Sequence, residues 1–167
     1  SIALTSIDSE EVYFVPAFTG LGAPYWDMEA RGAIFGLTRD SGKGQITKAA
    51  LESIAFQTKD LISAMELDTN KNFSMLAVDG GASANNFLMQ FQADILGASI
   101  QRAAIIESTA LGVAYLAGLH VGLWSFSELE KSKKNSQVFE PAMGEEKRER
   151  LYKGWLKAVS RTMNWIE

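Results

Sequence analysis

The 167-residue sequence contains no cysteine and a single histidine. The absence of cysteine removes disulfides and every thiolate metal or redox site, and favours a cytoplasmic protein. The lone histidine, His120, lies in a run of small apolar residues with no nucleophile motif around it. It reads as structural, not as the base of a Ser-His-Asp or Cys-His arrangement. With no H-x-x-x-H pair and no calcium loop, no metal ligand is expected within the chain. Basic charge is also scarce. The net charge of −4 speaks against nucleic acid and against a polybasic membrane surface. No basic segment followed by an apolar one opens the sequence, so no signal peptide is expected. Long apolar runs are missing too. Ala110 to Trp124 comes nearest, but it holds three glycines and His120 and falls short of the roughly 20 residues that a membrane span requires. A buried helix is the expectation there.

What remains is an ordinary globular balance. Apolar residues make up 47% and charged residues 22%, enough to build a core, and the length suits one domain spanning residues 1–167. Val12 to Phe18 and Ala33 to Leu37 read as strands, with the glycine-rich loop Thr19 to Gly32 between them. Apolar residues at steps of three and four predict a helix from about Gln45 to Met65, with Leu51, Ile54, Ala55, Thr58, Leu61, Ile62 and Met65 on its buried face. Phe73 to Val78 reads as a buried strand. A helix from about Ala84 to Leu96 follows, stopped by Gly97 at its C′ position. Ser99 to Arg102 reads as a short strand, and Glu107 to Leu123 as the apolar helix. Ser125 to Glu140 is polar. A last helix, from about Glu145 to Trp165, turns Leu151, Trp155, Ala158, Val159 and Thr162 to one side. Strands alternating with helices predict an α/β domain with a largely parallel sheet.

Within this pattern the stretch "MLAVDGGASANNFLMQ", Met75 to Gln90, stands out. A strand runs into two glycines and then into a helix start, the place where α/β folds hold ligands. Neither G-x-G-x-x-G nor G-x-x-x-x-G-K-[ST] is present, and no lysine sits in the turn. Gly80 and Gly81 allow a ligand to press on the backbone. The helix start, placed at Ser83 or Ala84, supplies free N–H groups. Asn85 and Asn86, in its first turn, supply amide donors and acceptors. The pattern suits a nucleoside or diphosphate end, and equally a tight packing turn. Asp79 reads as a turn residue accepting backbone N–H bonds more than as a catalytic group. Asp27, Glu52, Asp60, Asp94 and Glu107 are the other carboxylates outside solvated runs. The loop Gly20 to Asp27, "GLGAPYWD", fits a lid, an interface loop or a structural turn.

Several motifs resemble one family closely. Gly32 to Leu37, seven residues, then Gln45 to Glu52 fit the second signature of the FGGY carbohydrate kinases at each constrained position, and "WDMEARG", Trp26 to Gly32, fits the run before it. "VDGGASANNFLMQFQADILG" resembles the family's nucleotide-binding strand, loop and helix. "STALGVAYLAG", Ser108 to Gly118, resembles its A-L-G-A-A-x-L-A-G helix. "PAFTGLGAPYWD", Pro16 to Asp27, is similar to the glycerol-phosphorylating branch, where xylulose and gluconate kinases carry a G-E-R-x-P-x-W version.

The resemblance implies an actin-like, ribonuclease-H-like fold, with this chain as part of the C-terminal domain and a mixed sheet flanked by helices. It implies ATP-dependent phosphorylation of glycerol to sn-glycerol 3-phosphate and ADP by a protein that forms a homo-oligomer. Another FGGY sugar kinase, or a non-catalytic actin-like interaction module, is the alternative. By motif match Gly81 and Asn85 contact the nucleotide and Gly80 shapes the turn. No catalytic residue is expected here. The aspartate base, the glycerol contacts and the ligands of a phosphate-bound Mg²⁺ are expected in segments that this sequence does not contain, and the chain by itself is expected to be inactive.

Overall fold

The computed structural model describes residues 11–105, 107–131 and 136–166. Two small sheets organise them. In the first, β1 (Tyr13–Val15) pairs antiparallel with β2 (Ala33–Phe35). In the second, β3 (Met75–Val78), β4 (Ser99–Arg102) and β5 (Gln137–Phe139) lie in that order, with β3–β4 parallel and β4–β5 antiparallel. The largely parallel sheet is thus corrected: among the described residues one sheet is antiparallel and the other mixed, and of the named strands only β3 and β4 pair in parallel. A parallel partner needs a crossover, and the helix Asn86–Leu96 supplies one between β3 and β4.

The helices are α1 (Lys43–Thr69), α2 (Asn86–Leu96), α3 (Ser108–His120), α4 (Phe126–Lys131) and α5 (Glu145–Ser160). α1 begins where the Gln45 side chain accepts from the Gly42 N–H at 2.9 Å, half of a capping box. It ends at Asn70, in the left-handed region at φ 51°. Gly97 closes α2 at φ 68°, as its position predicted.

The core forms where α1, α2, α5 and β1 meet. Trp155 is fully buried and stacks on Phe56 at 5.2 Å, and Phe91 meets Phe56 edge-on at 5.4 Å. Each such pair adds about 1 kcal/mol beyond the apolar area it buries. Leu88, Ile95, Ile100, Val15 and Val159 complete the core. The last helix buries Trp155, Ala158 and Val159 on the predicted side, with Thr162 buried just beyond its end. Gly154 lets α5 approach β1, since a Cβ there would lie 2.1 Å from the Tyr13 hydroxyl.

Two expected faces are corrected. α1 buries Ala49, Ser53, Phe56 and Asp60 at steps of three and four, with Ala55 and Ile62 beside them. Ile54, Leu61 and Met65 are each more than 40% exposed. The helix is apolar on two sides, and the side facing the core includes polar residues whose hydrogen bonds are met inside. α3 was expected to be buried, yet Gly118 is its only buried residue, and Val113 and Leu116 lie open. Its apolar composition calls for cover, but no described strand or helix packs along it. Trp124 alone folds back, donating from its indole N–H to the Tyr115 carbonyl at 3.1 Å.

Candidate functional site

The end of β3 leads into a short, tightly tied turn. Gly80 adopts φ 79° and ψ 168°, a conformation that essentially only glycine tolerates. Gly81–Ala84 then forms one 3₁₀ turn. Ser83, buried, donates to the Gly80 carbonyl twice, from its N–H at 3.0 Å and from its hydroxyl at 2.7 Å. The Asn85 N–H donates to the Ala82 carbonyl at 3.1 Å.

The helix start differs from the sequence reading. α2 begins at Asn86, and Asn85 is its N-cap, accepting from the N–H of Phe87 at 3.0 Å and of Leu88 at 3.3 Å. Asparagine is among the best N-caps, so the helix opens after Asn85 and not at Ser83 or Ala84. The Asn85 carbonyl oxygen is therefore committed to the helix, and its amide NH₂ is what it offers outward. The N–H groups of Gly81 and Ala82 head the 3₁₀ turn, where helix geometry supplies no acceptor.

The space over the glycines is open. A Cβ built on Gly80 or on Gly81 meets no atom within 4 Å. The backbone angle accounts for glycine at position 80. Nothing in the protein accounts for it at position 81, where the residue is exposed and lacks the positive φ that would demand glycine.

Sequence reasoning missed Arg102, the last residue of β4. Its Nη1 donates to the Ser83 carbonyl and to the Asn86 Oδ1, both at 2.8 Å. Its Nη2 donates to the Gln137 Oε1, and the guanidinium lies 5.2 Å over the Phe139 ring. Nothing in the local sequence signals this, because the partners lie 16 to 37 residues away.

The carboxylates do not gather at the turn. Asp79 is exposed and accepts no hydrogen bond among the described residues, so the expected turn-capping role is not seen. Asp94 is buried and accepts from Ala142 and Met143 N–H at 2.7 and 3.1 Å, fastening the segment before α5 onto α2. Asp60 accepts from Tyr152 and Trp155. Glu52 lines a cavity of about 610 Å³ between β1, α1, α2 and α5. Burial there pushes its pKa up to about 7, against the pull of Lys48 at 3.7 Å and of Lys147. Glu107 is exposed. Among the described residues no three His, Cys, Asp or Glu side chains come together as a metal site.

The Gly20–Asp27 loop is a closed structural turn. Leu21 and Asp27 exchange backbone hydrogen bonds at 2.6 and 2.9 Å around a cis Ala23–Pro24 bond. Gly20, at φ 90°, passes so near Met28 that a Cβ would lie 2.6 Å from its Cα. Asp27 accepts from the N–H groups of Asn164, Glu29 and Ala30, which hold its carboxyl below the usual range. Trp26 and Phe18 remain exposed.

The profile described as the FGGY family of carbohydrate kinases, C-terminal domain, matches residues 3–121, a stretch that includes the glycine turn and Arg102. This chain belongs to the FGGY family. Among its FGGY relatives, glycerol kinase from Caldanaerobacter subterraneus subsp. tengcongensis is 61% identical over 99% of this chain and 33% of its own length. Glycerol kinase from Clostridium beijerinckii is 61% identical over 96% of this chain and 32% of its own. The chain therefore spans about a third of the length of the curated relatives it matches. The solved structure of Plasmodium falciparum glycerol kinase with ADP superposes with a TM-score of 0.83 at 37% identity, over 96% of this chain and 32% of that one. A Lactobacillus acidophilus xylulose kinase superposes at 0.73 with 27% identity, over 96% and 33%. The FGGY fold, actin-like with a mixed sheet flanked by helices, is thus the fold of this chain. No helix among the described residues is long and apolar enough to cross a membrane.

Proposed function

We propose that the protein carrying this chain transfers the terminal phosphate of ATP to glycerol, giving sn-glycerol 3-phosphate and ADP. We propose further that Gly80, Gly81 and Asn85 form part of its nucleotide site. The observation that carries the reading is the open, Cβ-free turn after β3, in a chain about 60% identical to glycerol kinases along nearly its whole length. The turn suits a diphosphate or ribose. Gly80 keeps the backbone accessible, Gly81 and Ala82 offer N–H groups that head the 3₁₀ turn, and the Asn85 amide adds a donor fixed by its own cap.

On this reading residues 1–167 act as one domain, part of the C-terminal domain of a larger homo-oligomeric kinase. Mg²⁺ would travel on the phosphates and neutralise their charge during transfer. No ligand for it is assigned within this chain. A relation to xylulose or gluconate kinases is supported at 26 to 27% identity only.

The test is turnover of the full-length protein with ATP and a panel of glycerol, xylulose and gluconate. Glycerol should be the fastest acceptor. Fast turnover of a pentulose or gluconate without glycerol would overturn the assignment. For the site, ADP titrated against this chain should move the amide resonances of Gly80, Gly81 and Asn85. No movement at saturation removes the claim for the isolated chain. Light scattering on the full-length protein reads its oligomeric state.

A further inference from the structure

We propose that Arg102 is a positioning residue for nucleotide binding: it locks the Ser83–Asn86 turn in the shape that leaves Gly81 open and Asn85 seated on its cap. The inference rests on the reading of that turn as part of a nucleotide site.

Arg102 stands at the end of β4, the middle strand of its sheet. One nitrogen of its guanidinium holds Ser83 and Asn86, the residues on either side of Ala84 and Asn85. The other holds Gln137, and the plane rests over Phe139. The bonds to the turn and to α2 hold the head on the side of the glycine turn, and Gln137 and Phe139 hold it against β5. Its pull on the Ser83 carbonyl also passes further, because the buried Ser83 hydroxyl is bonded to the Gly80 carbonyl. The turn is thus braced at both ends from the sheet, while its glycines face open space. A charged donor makes these bonds stronger than a neutral one would. Lysine could bring the charge, but not the fork and the stacked plane together.

The alternative is that Arg102 merely stitches β5 to β4. The two roles separate on the side of the guanidinium that is cut. In the full-length protein, ADP affinity is measured by calorimetry, alongside the KM for ATP and for the phosphate acceptor. Arg102→Met should raise the ADP Kd and the ATP KM about tenfold, the loss expected from one or two charged hydrogen bonds, with the acceptor KM unchanged. Arg102→Lys should recover part of this. Asn86→Ala, which leaves Arg102 in the sheet, should weaken ADP binding too, and adding it to Arg102→Met should cost little more. Gln137→Ala should lower thermal stability and leave ADP binding alone.

The inference is overturned if Arg102→Met binds ADP like the wild type, or if both KM values move together. Should Arg102→Met fail to fold, the pair Asn86→Ala and Gln137→Ala decides it. Equal ADP affinity in those two variants overturns the inference. Wild-type protein that binds no ADP overturns the nucleotide reading and this inference together. Wild-type binding with indifferent variants overturns the inference alone.

Discussion

The indole N–H of Trp155 donates to Asp60 Oδ2 at 2.8 Å, deep in the core, where both residues are buried. Tyr152 donates to the other carboxylate oxygen at 2.7 Å, and Tyr25 of the Gly20–Asp27 loop is a third partner. One carboxylate thus ties α1 to α5 and to the loop. Burial raises the pKa of Asp60, and the three donors draw it part of the way back.

Asp60→Ala would strand an indole N–H and two phenols. A loss of about 3 kcal/mol is expected, while Asp60→Asn, which keeps an acceptor, should cost about 1 kcal/mol. Urea unfolding midpoints read both. A loss below 1 kcal/mol for the alanine variant would show that the cluster does not hold the helices together.

Glu52 gives the protein a pH dependence near neutrality. Burial raises its folded pKa to about 7 from 4.5, so the folded state keeps a proton that the unfolded chain has released. The contribution is fully present below about pH 4.5 and is lost as pH rises through about 7. The two values bound the loss at about 3 kcal/mol. Glu52→Gln should flatten the profile between pH 5 and 8 and stabilise the protein above pH 7. An unchanged slope of urea midpoint against pH would remove Glu52 as its source.

The two glycines of the turn should part company under substitution. Gly80→Ala forces a side chain into a glycine-only conformation and should cost about 1–3 kcal/mol of stability. Gly81→Ala meets no protein atom and should leave the unfolding midpoint where it is, while weakening ADP binding in the full-length protein. An unaffected ADP affinity would take Gly81 out of the site.

α3 should be far less protected than α2 when the chain stands alone. Thirteen residues form a marginal helix without tertiary cover, and the exposed Val113 and Leu116 have none. Hydrogen exchange should be fast across Ser108–His120 and slow across α2, whose buried residues include Leu88, Met89, Phe91 and Ile95. Comparable protection in the two helices would contradict this.

Periodicity located β4 to the residue, α2 to within two residues and the start of α5, which ends at Ser160 and not near Trp165. It misplaced the buried face of α1 because two apolar stripes compete there, and the choice between them lies with the partner helices. It missed α4 and β5 inside the polar stretch Ser125 to Glu140: a three-residue strand exposed at Gln137 and Val138 leaves little alternation to read. Part of that stretch, 132–135, lies outside the described residues. Gly80 and Gly81 were legible because the turn is local. The outward-facing half of Asn85 became definable only once its cap was seen. Arg102 was illegible, since its role depends on four residues brought together from three separate elements.

The bond from the Asn164 N–H to Asp27 spans 137 residues, and that from Arg150 to Glu11 spans 139. During synthesis the near partners of Asp27, Glu29 and Ala30, emerge beside it. Asn164 leaves the ribosome on the order of ten seconds later. Until then the loop from Thr19 to Gly32 is fastened at one side only. In the newborn chain this loop is completed only once Asn164 has emerged, and its completion reports that the whole length from Asp27 to Asn164 has been made.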